Sequence, residues 1–246
     1  MRLKLISCEV LYREVCWVVA RSPNIVDVTF LPKGLHDIGA IKMRARIQAT
    51  LDAVDVARYE AVLFGYGLCS NGLAGLVAPQ IPLVLPRAHD CITLFLGSRQ
   101  RYLDYFYANP GVYFKTTGWI ERGENTDELH QLSLQRQTGL NQRLEDFISR
   151  YGEDNGRYLY SVLGQEAPHY QQFTFIEMGV EPDDRYERQV RAEAEQRGWQ
   201  FEKVQGDLRL LQRLVDGAWD ETDFLVVPPG CRVVARYDEG VIAAES

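Results

Sequence analysis

Residues 61–72 read AVLFGYGLCSNG, an apolar run that passes at Gly65 into a loop rich in glycine. A short apolar run bounded by turn residues is typical of a buried strand, and the loop that follows is typical of a βα connection. The loop lacks the Gly-Lys-Ser/Thr that would make it a P-loop. Gly65, Gly67 and Asn71 are candidate cofactor-binding positions, because a glycine-rich backbone can approach a ligand closely. The alternative is a tight turn that holds no ligand.

Strand and helix signals alternate on both sides of this stretch. In the first half, the pattern predicts strands over 3–7, 26–31 and 81–85, and helices over 11–21, 38–56 and 91–107. The alternation resumes with strands over 173–178, 199–204 and 224–227, and helices over 183–198 and 207–216. Strands separated by helices indicate βαβ units. We therefore predict an α/β protein of two Rossmann-like lobes with mainly parallel sheets, residues 1–123 and 171–246, and a helical connection over 124–170.

The composition is that of an acidic globular protein. The 246 residues carry a formal net charge of -7, and no run of basic residues occurs. This charge disfavours nucleic acids and anionic membrane surfaces as partners. The apolar start of the chain is too short for a signal peptide and no stretch could span a bilayer, so we expect a cytoplasmic protein. Five cysteines, an odd number, argue against a disulfide framework.

Three of these cysteines follow three of the predicted strands. Cys8 comes at the end of the first strand, Cys69 lies in the loop after the third, and Cys91 follows the fourth. Because loops at the carboxyl ends of parallel strands meet at one edge of the sheet, we expect the three thiols to lie close together. Thiolates suit zinc above all, with iron or an iron–sulfur cluster as alternatives. The competing interpretation is that these cysteines pack as small apolar side chains.

Other residues near the same edge could complete a catalytic site. His36 and His89 lie in the loops after the second and fourth predicted strands, and either could supply a fourth ligand or a proton-transfer group. Arg87 precedes the helix that begins near Cys91 and is a candidate for orienting an anionic substrate. The free N–H groups at the start of that helix should favour a thiolate at Cys91.

The remaining candidates concern packing and a possible cleft. Cys16 lies in the middle of a predicted helix between Val15 and Trp17, so we expect it to pack against apolar neighbours. Cys231 follows a strand of the second lobe and could face a cleft between the lobes. The aromatic residues within 102–107 are predicted to belong to the core and the helix surface.

Several segments resemble an uncharacterised prokaryotic family catalogued as domain of unknown function 1638. They are ISCEVL (6–11), GLHD (34–37), YGLCSNG (66–72), PRAHDCITLFLG (86–97) and TGWI (117–120). The resemblance covers nearly the whole chain and is most specific between 66 and 97. Members of the family often occur near genes for corrinoid-dependent methyl transfer in anaerobes, which implies a one-carbon setting by association alone.

Together these observations predict a metal-dependent enzyme, a transferase or lyase linked to methyl transfer or corrinoid one-carbon metabolism. Its partners would be a small-molecule substrate and a candidate corrinoid protein. Two alternatives remain open at this point. One is a non-catalytic protein that binds and delivers a small molecule or a corrinoid, and the other is a metal-free enzyme with a cysteine nucleophile.

Overall fold

The structure is a computed structural model that describes residues 1–69, 71–109, 111–123 and 170–246, together with residues 148, 152, 153, 155 and 157. The predicted helical connection over 124–170 lies almost entirely outside the described residues. The predicted α/β class is confirmed, because helices cover a mainly parallel five-stranded sheet and a parallel three-stranded sheet.

The larger sheet has the strand order β2-β1-β3-β4-β8. Its strands are β1 (Arg2–Cys8), β2 (Ile25–Leu31), β3 (Ala61–Gly65), β4 (Leu83–Pro86) and β8 (Phe224–Val227). The first four are parallel, and β8 pairs with β4 in the antiparallel direction. Every residue of β3 and β4 is buried, because helices cover both faces of the sheet.

The smaller sheet has the order β5-β6-β7, formed by β5 (Val112–Thr116), β6 (Gln172–Glu177) and β7 (Gln200–Gln205). A separate antiparallel pair consists of β9 (Arg232–Ala235) and β10 (Ile242–Glu245). The two larger sheets draw strands from both sides of the predicted lobe boundaries. As a division into domains, the boundaries at 123 and 171 stay a prediction.

The helices lie where the apolar spacing placed them, with two differences: the helix predicted over 91–107 is divided, and a short helix over 117–121 was not predicted. They are α1 (Tyr12–Val19), α2 (Ala40–Asp52), α3 (Cys91–Leu96), α4 (Arg99–Ala108), α5 (Thr117–Glu121), α6 (Arg185–Arg197) and α7 (Arg209–Asp216). The helix predicted over 91–107 is divided into α3 and α4. Gly97 ends α3 with φ of 72°, and the Ser98 hydroxyl caps α4 by accepting a hydrogen bond from the N–H of Arg101.

One acidic side chain on α1 is buried in the interior. Glu14 is 1% exposed, and its Oε2 has no hydrogen-bond partner among the described residues. Burial raises the pKa of Glu14 to about 8, and the nearby carboxylates Glu181 and Glu121 act in the same direction. The folded protein therefore favours the protonated, uncharged form of this side chain.

Candidate functional site

The structure brings the thiols of Cys8, Cys69 and Cys91 to one small cavity. Cys8 is the last residue of β1, Cys69 lies in the loop after β3, and Cys91 is the first residue of α3. The cavity measures about 20 Å³, which is room for roughly one water molecule or one ion. We call it the thiol cavity.

Backbone contacts hold two of these cysteines beside each other. The N–H groups of Leu68 and Cys69 donate to the carbonyl oxygens of Ala88 and His89, at 2.8 and 2.9 Å. The loop after β3 is thereby joined to the loop after β4, which leads directly into Cys91. Cys69 has φ of 46°, a left-handed conformation that costs a residue other than glycine about 1–2 kcal/mol. Strain of this kind is often found at functional sites.

All three thiols are protonated at neutral pH in the absence of a bound cation. Burial raises the pKa of Cys8 to about 11. Burial also raises the pKa of Cys69 and of Cys91, and charge on neighbouring groups in the site, Asp90 among them, adds to the effect. The expectation that the start of α3 favours a thiolate at Cys91 is therefore wrong for this state, because burial outweighs the helix terminus. Metal binding would have to displace these protons.

Two residues that the sequence analysis missed also line the thiol cavity. Tyr66 is 3% exposed, and its hydroxyl, near the Cys8 thiol, has no hydrogen-bond partner among the described residues. Lys33 donates through Nζ to the Trp119 carbonyl at 3.3 Å and lies 4.4 Å from the Trp119 ring centroid. Burial lowers the pKa of Lys33. Tyr66 lies within the glycine-rich loop over 65–72, and Lys33 lies in the same loop as His36. This closeness in sequence to predicted site residues was the only signal that could have identified them.

The three predicted catalytic residues lie in different places. His36 lines the thiol cavity and contacts the Trp119 ring edge-on, with the ring centroids 6.1 Å apart. His89 is exposed and lines neither this cavity nor the larger one described below. Arg87 likewise lines neither, and its guanidinium donates to the carbonyl oxygens of Glu221, Gly240 and Ile242. Its described partners fix the C-terminal segment, so the predicted role in orienting an anionic substrate finds no support.

Gly65 and Gly67 of the glycine-rich loop pack directly against other residues of the protein and leave no open space beside them. A Cβ atom on Gly65 would lie 2.3 Å from Oγ of Ser7, and one on Gly67 would lie 2.5 to 2.7 Å from the backbone of Asp90. Asn71 is exposed, with φ of 66°. Close packing accounts for both glycines without a ligand, and the predicted cofactor-binding role of these three residues stays a prediction.

The other two cysteines lie away from the thiol cavity. Cys231 follows β8, and because β8 is antiparallel to β4, its carboxyl end lies beside Leu83 at the start of β4. This is the edge of the sheet opposite the three thiols, so the expectation that Cys231 faces the site is wrong. Cys16 lies within α1 as predicted, but it is exposed rather than packed.

A larger cavity of about 240 Å³ adjoins the thiol cavity and shares His36, Cys91 and Trp119 with it. We call it the aromatic cavity, because its lining includes seven Phe, Tyr and Trp side chains. Tyr102 and Phe106, which were predicted to belong to the core and helix surface, are among them. Asp90 also lines it and accepts hydrogen bonds from the Ile92 N–H at 3.0 Å and the Tyr102 hydroxyl at 3.1 Å.

Within the part of the chain that the structure describes, no group of three or more Cys, His, Asp or Glu side chains is placed so that it could hold a metal ion. A zinc ion would require the sulfur atoms at roughly 2.3 Å from a common centre.

We expect Cys16 to be the first cysteine alkylated in metal-free protein. At pH 8, a thiol with a pKa of about 11, such as Cys8, is ionised in roughly one molecule in a thousand, and the thiolate is the reacting form. Cys16 is exposed, and iodoacetamide should modify it at least about tenfold faster than Cys8, Cys69 or Cys91. Time-resolved peptide mass spectrometry would measure the order. Faster reaction at Cys91 or Cys69 would contradict the protonated state and favour a cysteine nucleophile.

Comparisons with known proteins place the chain in a family. None of the helices in the described segments has the length and apolar character needed to cross a membrane. Searches of curated proteins and of solved structures found no significant match. The family model described as "Protein of unknown function (DUF1638)" matches residues 30–215, which include Cys69, Cys91 and His36. The chain therefore belongs to this family of proteins of unknown function.

Proposed function

We propose that the protein binds one metal ion through the thiolates of Cys8, Cys69 and Cys91, with zinc as the favoured metal. The observation that carries the proposal is that three cysteines from three separate loops line one cavity of about 20 Å³. Buried cysteines commonly pack alone as small apolar groups. Here three cysteines share an ion-sized cavity, and Cys69 has a left-handed backbone conformation. This arrangement fits a thiolate-rich metal site better than it fits simple apolar packing.

The polar groups around the cavity suit such a site. Three thiolates and a Zn²⁺ ion carry a net charge of about -1, and the ammonium of Lys33 in the cavity wall would balance it. The unpartnered hydroxyl of Tyr66 could donate a hydrogen bond to the Cys8 thiolate. The ammonium of Lys33, which already donates to the Trp119 carbonyl, would then also have a counter-charge, and the Tyr66 hydroxyl would have a charged acceptor.

A zinc ion held by three thiolates would have a fourth coordination position, and we place this position on the side of the aromatic cavity. His36 lines both cavities and could fill this position or transfer a proton there. Three protein ligands and one exchangeable position are the pattern of catalytic zinc. With zinc bound, we propose that a substrate thiol would occupy this position and give its proton to His36 or to solvent. Its sulfur would then take the methyl group from a methyl-corrinoid, whose cobalt would leave as Co(I) with the electron pair of the broken Co–C bond. The candidate methyl donor is a corrinoid protein. This part of the proposal rests on the occurrence of family members near genes for corrinoid-dependent methyl transfer.

The metal content of the purified protein tests the proposal. Protein purified without oxygen from zinc-supplemented cells should contain about one metal ion per chain by elemental analysis. Cys69→Ser should reduce the content to near zero, because serine does not replace a thiolate ligand of zinc. Cys16→Ser is the matched control, since Cys16 is exposed on α1 and should be dispensable. Metal-free wild-type protein, or equal metal content in both variants, would contradict the proposal.

The structure bears differently on the two alternative functions, a small-molecule carrier and a metal-free enzyme with a cysteine nucleophile. The aromatic cavity could hold a small molecule whether or not the protein is an enzyme, which keeps a carrier function as the second candidate. A metal-free cysteine nucleophile is less well supported, because the raised pKa values of all three thiols oppose thiolate formation. Turnover with methyl donors and thiol acceptors would distinguish an enzyme from a carrier.

A further inference from the structure

The aromatic cavity has an unusual charge pattern. Asp90 is the only Asp, Glu, Lys or Arg among the described residues that line it. The cavity therefore combines aromatic rings with one carboxylate and offers a ligand no Lys or Arg side chain, although the imidazole of His36 also lines it. An anionic ligand such as a phosphate or carboxylate would meet repulsion from Asp90 and from the negative faces of the rings.

Asp90 is held as a hydrogen-bond acceptor. Its Oδ1 accepts from the Ile92 N–H, and its Oδ2 accepts from the Tyr102 hydroxyl. Burial raises the pKa of Asp90 above its ordinary value, and these two hydrogen bonds act in the opposite direction by stabilising the charged carboxylate. The Tyr102 ring also belongs to the cavity wall and stacks on Phe106, with the centroids 5.9 Å apart and the planes at 21°. The carboxylate and two rings thus form one connected part of the wall.

Two rings of the wall already contact ammonium groups in the folded protein: Trp119 contacts Lys33, and Tyr113 contacts Lys115, whose Nζ lies 5.1 Å from the Tyr113 ring centroid. Lys33 Nζ lies 4.4 Å from the Trp119 ring centroid, within the distance of a cation–π contact. Lys33 lines the thiol cavity and not the aromatic cavity. A ligand in the aromatic cavity would instead use the rings of Tyr102, Phe106, Phe114 and Tyr170.

We propose that the aromatic cavity binds a small organic cation, a methylated or quaternary ammonium group, with the rings around it and Asp90 as its counter-charge. Aromatic cages with a carboxylate recognise such cations, whose methyl groups are too weakly hydrated to resist transfer into an apolar pocket. The volume of about 240 Å³ lies below the roughly 300–1,000 Å³ of pockets for drug-sized ligands, which indicates a small ligand. The inference goes beyond the proposed metal site and does not depend on it.

Titration calorimetry with choline and its uncharged isostere 3,3-dimethylbutan-1-ol tests the inference on the full chain. The two probes have the same shape, so the difference between them reports the charge. Choline should bind at least about tenfold more tightly, since a desolvated cation–π site contributes that much or more. Tighter or equal binding of the isostere, or no binding of choline, would overturn the proposal.

Three variants locate the binding site. Asp90→Asn keeps the cap of α3 and should weaken choline binding about tenfold while leaving the isostere unaffected. Phe106→Leu should also weaken choline binding, because it removes one ring of the wall. Tyr107→Leu is the matched control, since Tyr107 is 78% exposed and lines neither cavity. Unchanged choline binding in both Asp90→Asn and Phe106→Leu would overturn the assignment.

The metal measurement stays separate from this one. Choline binding should be the same in protein as purified and in protein treated with a chelator. Loss of choline binding together with the metal would overturn the claim that the cavity recognises the cation by itself. Absence of metal with intact choline binding would contradict the proposed metal site alone.

Discussion

Replacing Gly67 with alanine should destabilise the protein by about 3 kcal/mol and abolish binding of the metal ion that we propose for the thiol cavity. The new Cβ would lie 2.5 to 2.7 Å from N, Cα and C of Asp90, which are backbone atoms that cannot rotate away. The loop cannot shift freely either, because the N–H groups of Leu68 and Cys69 donate to the adjoining loop. The loops after β3 and β4 would have to separate, and with them Cys69 and Cys91.

Urea unfolding and elemental analysis measure the two effects of this substitution. Gly72→Ala is the control in the same loop. Its Cβ would meet the Sδ of Met43 at 2.3 Å, and that flexible side chain can move aside. We expect it to cost less than half as much and to keep the metal. If Gly67→Ala unfolds at the same urea concentration as the wild type, the Asp90 backbone leaves room for a side chain at position 67 and the prediction is wrong.

The free energy of unfolding should fall by about 3 kcal/mol between pH 5 and pH 8 through Glu14 alone. The pKa of Glu14 is about 8 in the folded protein, against an ordinary value of 4.5. The folded state thus binds this proton more tightly than the unfolded chain does. The stability that Glu14 contributes is complete below pH 4.5 and is lost as the pH rises towards 8.

Glu14→Gln removes this titration while keeping the size of the side chain. The variant should therefore lose about 3 kcal/mol less than the wild type between pH 5 and pH 8 in urea unfolding experiments. Glu195→Gln, on an exposed position of α6, is the control and should keep the full pH dependence. An identical pH profile for Glu14→Gln and the wild type would show that Glu14 is ionised or solvated in the folded protein.

Both the fold class and the closeness of the three thiols could be predicted from the sequence, because both follow from the geometry of a parallel sheet. Apolar runs such as residues 61–64 are long enough to mark a buried strand, and strands that alternate with helices most often pair in parallel, as β1 to β4 do. In a parallel sheet the residues after each strand share an edge, so Cys8, Cys69 and Cys91 could be grouped without any local spacing motif.

The direction of β8 could not be predicted in the same way. Its four residues carry no signal for parallel or antiparallel pairing, and the strand pairs with β4, more than a hundred residues earlier. Cys231 was therefore assigned to the wrong edge. The role predicted for Arg87 stays a prediction. Its contacts with carbonyl oxygens of a distant segment could not be predicted, because backbone acceptors leave no trace in side-chain patterns.

The aromatic cavity and the two missed residues depend on tertiary packing. Tyr102 and Phe106 are one helical turn apart, a spacing that equally fits core packing. Only the position of α4 relative to α5 and β5 makes them part of a cavity wall. Tyr66 and Lys33 are single residues in loops, and nothing in the local pattern distinguishes them from surface residues.

The pairing of β4 with β8 also has a consequence for biosynthesis. As the chain leaves the ribosome, β1 to β4 emerge within the first 86 residues, whereas β8 begins only at Phe224. During the intervening translation, the outer edge of β4 has no partner strand, and an open, apolar edge of this kind favours association between nascent chains. The larger sheet is completed only once β8 has been synthesised.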